Sequence, residues 1–411
     1  LIFFLNFLAD SVKIANMISV EEAANIVLEN VVVLSPRKVD LWAGLGFCLA
    51  EDMCSDLDMP PFDKSAMDGY AVIASDISGP TLPVELEVVE NISAGYVPTK
   101  RLQSGQASKI MTGAVLPEGA DTVVKVEETS LPLDDGKRVR VHQRNDKGKN
   151  ICKRGEDVKE GQVVLERGTV LRPQEIGILA AIGRKEAPVF SAPRIGVIST
   201  GSELVEVTSR PMAGQIRDSN SYSIIAQAKQ LNTEVESLGI VPDDKATTTE
   251  RIKRGLDKDI LILSGGVSMG EYDLVGDVLK ELGVKMYFEK VALRPGKPTV
   301  FGKKGNTIVF ALPGNPVATL VTFILFVGPA IRKMMGFQNP GNNPIKAAME
   351  TELVKKKRRR EYLPACLRQS GGGSWAVSPV EWHGSGDLFS TAKANCLLIV
   401  PETVEIFAKG Q

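Results

Sequence analysis

Between residues 194 and 336 short apolar runs alternate with amphipathic helical stretches, and few folds accept that order. Ile195 to Ser199, Glu236 to Val241 and 260 to 264 read as strands. Ser221 to Leu231, 244 to 256 and 272 to 282 read as helices. A βαβαβα series predicts a mainly parallel sheet with helices on both faces. In the last helix Leu274, Val275, Val278, Leu279 and Leu282 make the apolar stripe of a helix laid on a sheet. A hairpin follows around Lys303-Lys304-Gly305-Asn306, and Pro313-Gly314-Asn315-Pro316 then opens an apolar helix with Asn315 as N-cap and Pro316 in its first turn.

In such a sheet, ligands bind beyond the carboxyl ends of the strands, where backbone N–H groups face an anion. Three strand-end loops share one texture: Ser199-Thr200-Gly201-Ser202-Glu203, Ser264-Gly265-Gly266, and Pro313 to Pro316. They can converge on one nucleotide-sized ligand, although neither a Walker A sequence nor a G-x-G-x-x-G fingerprint is present. Ser264-Gly265-Gly266-Val267-Ser268-Met269-Gly270-Glu271-Tyr272-Asp273 reads as a phosphate cradle ending in carboxylates that could hold a hard cation, or as an ordinary strand-to-helix turn with solvated acids. Glu203, Asp243, Asp244, Glu271 and Asp273 gather near these loops, and Pro242-Asp243-Asp244 is also an ordinary helix N-cap. Arg294 and Lys297, on the stiff Arg294-Pro295-Gly296-Lys297-Pro298 loop, could grip an oxyanion, with a surface turn as the competing reading.

The rest of the chain differs in texture. Ser19 caps a helix to about Asn30, with Glu22 completing a capping box. Residues 53 to 154 are short β-rich runs (Val84 to Val89, Ala120 to Val126, Arg138 to His142) between Gly, Pro and Asp-Asp-Gly turns, after which Gln162 to Leu171 and the helical Pro173 to Ile182 resume an α/β character. The β segment therefore reads as an insertion, giving a multidomain α/β plus β chain: 17–52 with 155–192, an inserted 53–154, an α/β 193–338, and a small terminal β domain 339–411. Residues 1–16, apolar but without a basic leader, read as an extension ahead of Met17. Val317 to Ile331, interrupted by Thr319, Thr322, Gly328 and Pro329, is shorter than the roughly 20 residues of a membrane span and reads as a buried helix.

At 411 residues several cores are expected. Lys and Arg total 49 against 50 Asp and Glu, which gives no electrostatic reason to expect nucleic acid or an anionic membrane as partner; the isolated Lys355 to Arg360 run reads as a solvated or oxyanion-facing strand end. Five scattered cysteines and two histidines form no zinc set and fit reduced thiols at a cytoplasmic address.

Taken together, Ser65-Ala66-Met67-Asp68-Gly69-Tyr70-Ala71, Ile110-Met111-Thr112-Gly113-Ala114, Arg154-Gly155-Glu156-Asp157, Ser199 to Leu204, Ser264 to Gly270, Pro295-Gly296-Lys297-Pro298 and Leu312 to Pro316 resemble the MoeA family, which includes the gephyrin E domain. The resemblance implies a molybdopterin molybdenumtransferase that inserts molybdate into adenylylated molybdopterin with magnesium-dependent release of AMP. It implies Glu203 and Asp273 as metal or pyrophosphate-site acids; the cradle reading adds Glu271 as a candidate metal ligand, and its place near the loops makes Asp243 a candidate catalytic acid. Ser264, Gly265, Gly266 and Ser268 would form the phosphate loop, and Arg294 and Lys297 the molybdate-facing cations. Pro313, Asn315 and Pro316 would shape the loop against the ligand, and Arg359 and Ser385 would line the cleft. Asp68 and Thr112 match family residues needed for activity, which their local spacing does not show. The family's homodimer places the active cleft between the α/β domain of one subunit and the inserted domain of the other, and its substrate comes from a molybdopterin adenylyltransferase. The alternatives are a non-catalytic dimeric scaffold of the gephyrin E-domain type, or the related adenylyltransferase, which shares the α/β domain alone.

Overall fold

Six strands between residues 194 and 312 build the sheet that the alternating pattern requires. In the computed structural model, which describes residues 17–132, 137–266, 274–355, 359–370 and 373–411, they are β1 (Arg194–Thr200), β2 (Glu234–Val241), β3 (Ile260–Ser264), β4 (Lys285–Phe288), β5 (Val300–Lys304) and β6 (Thr307–Leu312). Their order is β2-β1-β3-β6-β5-β4. The neighbours β1–β2, β1–β3 and β3–β6 are parallel, while β5 runs antiparallel to both β6 and β4. All five residues of β3 are buried, as befits a central strand covered on both faces.

Helices Asn220–Lys229, Lys245–Gly255 and Leu274–Glu281 lie within a few residues of their expected positions. Leu238, Ile252, Leu263, Val275, Val278 and Leu279 belong to one core cluster. The hairpin is the turn between β5 and β6. β4, which the sequence pattern left unassigned, extends the sheet beyond it.

The apolar helix runs further than its composition suggests. Pro316–Thr322 is α-helical, Phe323–Val327 forms a π turn, and Gly328–Met334 resumes the α-helix. A wider turn directly ahead of Gly328-Pro329 accommodates a ring that has no N–H to give. By length and composition these 19 residues could cross a membrane, but 72% of their most apolar window is buried inside the protein. The segment is a core helix.

The chain divides into two compact units: one of the described residues up to Ala50 with Gly168–Arg172 and Glu186–Gln411, the other of Glu51–Arg167 with Pro173–Lys185. The first also holds the helix Val20–Asn30, whose Ser19 hydroxyl accepts from the Glu22 amide at 3.0 Å. A five-stranded C-terminal sheet is built around Arg360–Gln369, and its edge strand, Leu293–Arg294, comes from the α/β region. The second unit is β-rich. Its six-stranded sheet includes Gly69–Val72, Val84–Ile92, Gln106–Ile110, Thr122–Lys125 and Arg138–Val141. Along Gly69–Val72 the side chains of Tyr70 and Val72 enter one core cluster and Ala71 another, the two-residue alternation of a strand buried on both faces.

Candidate functional site

Parallel register brings the three expected loops together. Ser199 pairs with Ser264, and Ser264 with Leu312, so β1, β3 and β6 end side by side. Their loops open on a cleft of about 1410 Å³ that also receives Arg294 to Pro298, Arg359 and Trp382 to Gly386. Thus Glu203, Asp243, Ser264, Gly265, Gly266, Arg294, Lys297, Pro313, Asn315, Pro316, Arg359 and Ser385 all line one cavity. Ser268, Glu271 and Asp273 lie outside the described residues.

The phosphate-loop glycines are required by close approach. Gly265 has φ +92°, and a Cβ there would lie 2.3 Å from the Thr200 carbonyl oxygen. The Gly265 amide donates to the Leu312 carbonyl at 3.2 Å, so the loop is clamped between the ends of β1 and β6. Asn220, which sequence reasoning missed, cross-links the loops: its Nδ2 donates to Ser264 Oγ at 2.9 Å and to the Gly314 carbonyl at 2.7 Å. Its only signal was its place at a helix start. The Ser199 hydroxyl, buried and lining the cleft, has no hydrogen-bond partner among the described residues. A buried polar atom of that kind at a cavity wall suits a polar ligand.

The two adjacent acids divide their work. Asp244 caps helix Lys245–Gly255, accepting from the Ala246 and Thr247 amides, and the Thr247 hydroxyl first, then the Thr247 and Ala246 amides, hold its carboxyl below the usual range. Asp243 turns to the cleft, where its carboxylate accepts from the Ser202 amide at 3.2 Å. Glu203 folds over Gly201, where a Cβ would stand 2.5 Å from its Oε2. Asp218 is occupied by the Ser221 amide and hydroxyl, at 3.1 and 2.6 Å. Among the described residues no group of three ligating side chains forms a ready metal cage. Glu203 and Asp243 nevertheless fit magnesium, which is bound through one or two carboxylates plus substrate phosphates.

The cationic side is tied to the C-terminal sheet. Leu293 and Arg294 pair in parallel with Arg360 and Glu361. Arg294 Nη1 meets Glu361 Oε1 at 3.0 Å, and Lys355 meets the other carboxylate oxygen at 3.3 Å. Arg294 is thereby a positioned cation with its side chain still 55% exposed, whereas Lys297 has no side-chain partner among the described residues. Arg359 Nη1 donates to the Leu293 carbonyl at 3.2 Å.

The N-cap falls at Asn315 with Pro316 in the first turn, as the sequence reading has it, but the side chain does other work. Asn315 occupies the cap position but makes no side-chain cap bond. Its Nδ2 donates instead to Ser385 Oγ at 2.9 Å, while the Val317 amide donates to the Ser385 carbonyl at 3.0 Å. Pro316 has no N–H to cap, and the distant Ser385 satisfies the next orphan amide, which frees the Asn315 side chain.

Asp68 and Thr112 sit in the β-rich unit and are not among the cleft's lining residues. The Thr112 amide and hydroxyl both donate to Asp68 Oδ1, at 2.7 and 2.9 Å, and hold its carboxyl below the usual range, the amide more strongly.

Comparison with known proteins extends over the whole body of the chain. Residues 18–183 match the MoeA N-terminal region (domain I and II), 196–333 a probable molybdopterin binding domain, and 346–411 the MoeA C-terminal region (domain IV). Curated proteins named molybdopterin molybdenumtransferase from Nostoc sp. and, as a second form, from Mycobacterium tuberculosis are 39% and 37% identical. Each match covers 96% of this chain, with 92% and 98% of the relative. The crystal structure of the molybdopterin biosynthesis moeA protein from Pyrococcus horikoshii superposes with a TM-score of 0.82 at 32% identity, covering 96% of this chain and 98% of that one. The chain belongs to the MoeA family of molybdopterin molybdenumtransferases.

Proposed function

We propose that this chain inserts molybdenum from molybdate into adenylylated molybdopterin, releasing AMP. The observation that carries this reading is the composition of one cleft: a glycine phosphate loop and two carboxylates on its strand-end side, and Lys297, Arg359 and Ser385 on its other walls. Backbone amides at the Ser264 to Gly266 loop suit the phosphates of the adenylate. Glu203 and Asp243 would hold magnesium, whose charge eases departure of the AMP phosphate. Lys297, unpartnered by any described side chain, and Arg294, positioned by Glu361, suit the doubly charged molybdate. Ser385 accepts from Asn315 and keeps its own hydroxyl proton to donate to an oxide oxygen. The substrate comes from an enzyme that adenylylates the pterin, and the working form is a homodimer.

The test compares Glu203→Gln and Lys297→Ala in single-turnover reactions. Glu203→Gln is expected to raise the magnesium requirement and slow AMP release by about tenfold or more. Lys297→Ala should raise the molybdate concentration for half-maximal rate without moving the magnesium requirement. Wild-type behaviour in both variants would overturn the assignment of the cleft.

A further inference from the structure

His383 lines the same cleft, two residues before Ser385, and has no role in the reading above. Its Nδ1 lies 3.2 Å from Asp387 Oδ2. A carboxylate only accepts, so Nδ1 carries the proton of this contact, and Nε2 is the nitrogen left to take up and give back a proton. Asp387 is itself fixed, capping the helix Leu388–Thr391 through the Ser390 amide at 3.2 Å and accepting from the His383 amide at 3.1 Å. The imidazole side chain is 89% exposed, and no described residue is hydrogen-bonded to Nε2. A ring fixed on one nitrogen and open on the other, at the wall of a reaction cleft, has the arrangement of a proton carrier.

We propose that His383 carries the protons of metal insertion, an inference that rests on the transferase reading. Exchange of molybdate into a dithiol moves two protons from sulfur to oxygen, work that such a carrier would speed. Two S–H bonds break as two S–Mo bonds form, one Mo–O bond breaks, and both protons end on the departing oxide, which leaves as water. The dianionic charge is conserved and molybdenum keeps its oxidation state. His383 Nε2 takes a proton from a thiol and hands it to the oxide. The charged groups sharing the cleft with it are Arg294, Lys297 and Arg359, the carboxylates Glu203, Asp243 and Asp218, Arg217, and Asp387 on its own turn.

The experiment follows molybdenum bound to the pterin and AMP released, in single turnovers of the full-length wild type, His383→Ala and His383→Gln, with and without added imidazole. The Asp387 contact to the His383 amide remains in both variants, so the turn is kept. Insertion slowed on the order of 100-fold in both variants, with imidazole restoring about tenfold in His383→Ala, is expected. Wild-type insertion rates in the variants would overturn the role of His383 alone, as would a loss that imidazole leaves untouched, since a merely structural role gains nothing from free imidazole. Failure of the wild type itself to insert molybdenum would overturn the transferase reading together with it.

Discussion

Glu361 is the residue on which the cationic wall depends. Its carboxylate, only 5% exposed, is neutralised by Arg294 and Lys355 at once, and a buried charge with a single weak partner would be costly. Replacing it by alanine should lower stability by ~1–3 kcal/mol in urea titrations and weaken molybdate binding, because Arg294 loses its anchor. Asp68 offers a titration. Its carboxyl is held down in the folded state, so its contribution to stability is full above the unfolded value and is lost as pH falls through the lower folded one. Thr112→Val deletes the hydroxyl donor but keeps the stronger amide bond. By NMR the Asp68 carboxyl should then titrate higher than in the wild type yet still below the usual range, and an unchanged titration would contradict the contact. Cys48 is the opposite case: burial pushes its thiol up to about 12, so it should resist alkylation at neutral pH until the protein unfolds.

At the scale of elements, the clamp on Gly265 is the sharpest constraint. Gly265→Ala would force a Cβ to within 2.3 Å of the Thr200 carbonyl on a positive-φ backbone. A loss of ~1–3 kcal/mol in denaturant, with weakened adenylate binding, is the expected outcome. The β1 and β3 strands were legible because buried parallel strands are nearly continuous apolar runs, and the strand-end rule then gathered Glu203, Ser264 and Pro313 without any knowledge of distance. What was not legible came from contacts far apart in the chain. Asn315 is at the cap position, as its sequence suggests, but Ser385, 70 residues on, takes both its side chain and its helix's first free amide. Asp243 and Asp244 are indistinguishable as a dipeptide; only Ser202, 41 residues away, marks Asp243 as the cleft acid. Asn220 looked like one more polar residue at a helix start. β4 is too short, at four residues, to stand out from its flanks.

Over the whole molecule, a formal net charge of −1 leaves no long-range field to draw a polyanion, so selectivity for an anionic substrate must come from local placement of cations. One region supplies that placement: Leu293 and Arg294 belong to the α/β region by sequence and to the C-terminal sheet by pairing. If the working form is a homodimer, light scattering should give twice the 44.3 kDa mass of one chain, and a monomer retaining full turnover would contradict it. The most direct measurement of all is single-turnover AMP release by the wild-type protein from adenylylated molybdopterin, with molybdate and magnesium added separately and together. AMP and molybdenum-loaded pterin appearing in equal amounts only when both are present is the expected result; AMP release at the same rate without molybdate, or no molybdenum transferred to the pterin, would contradict it.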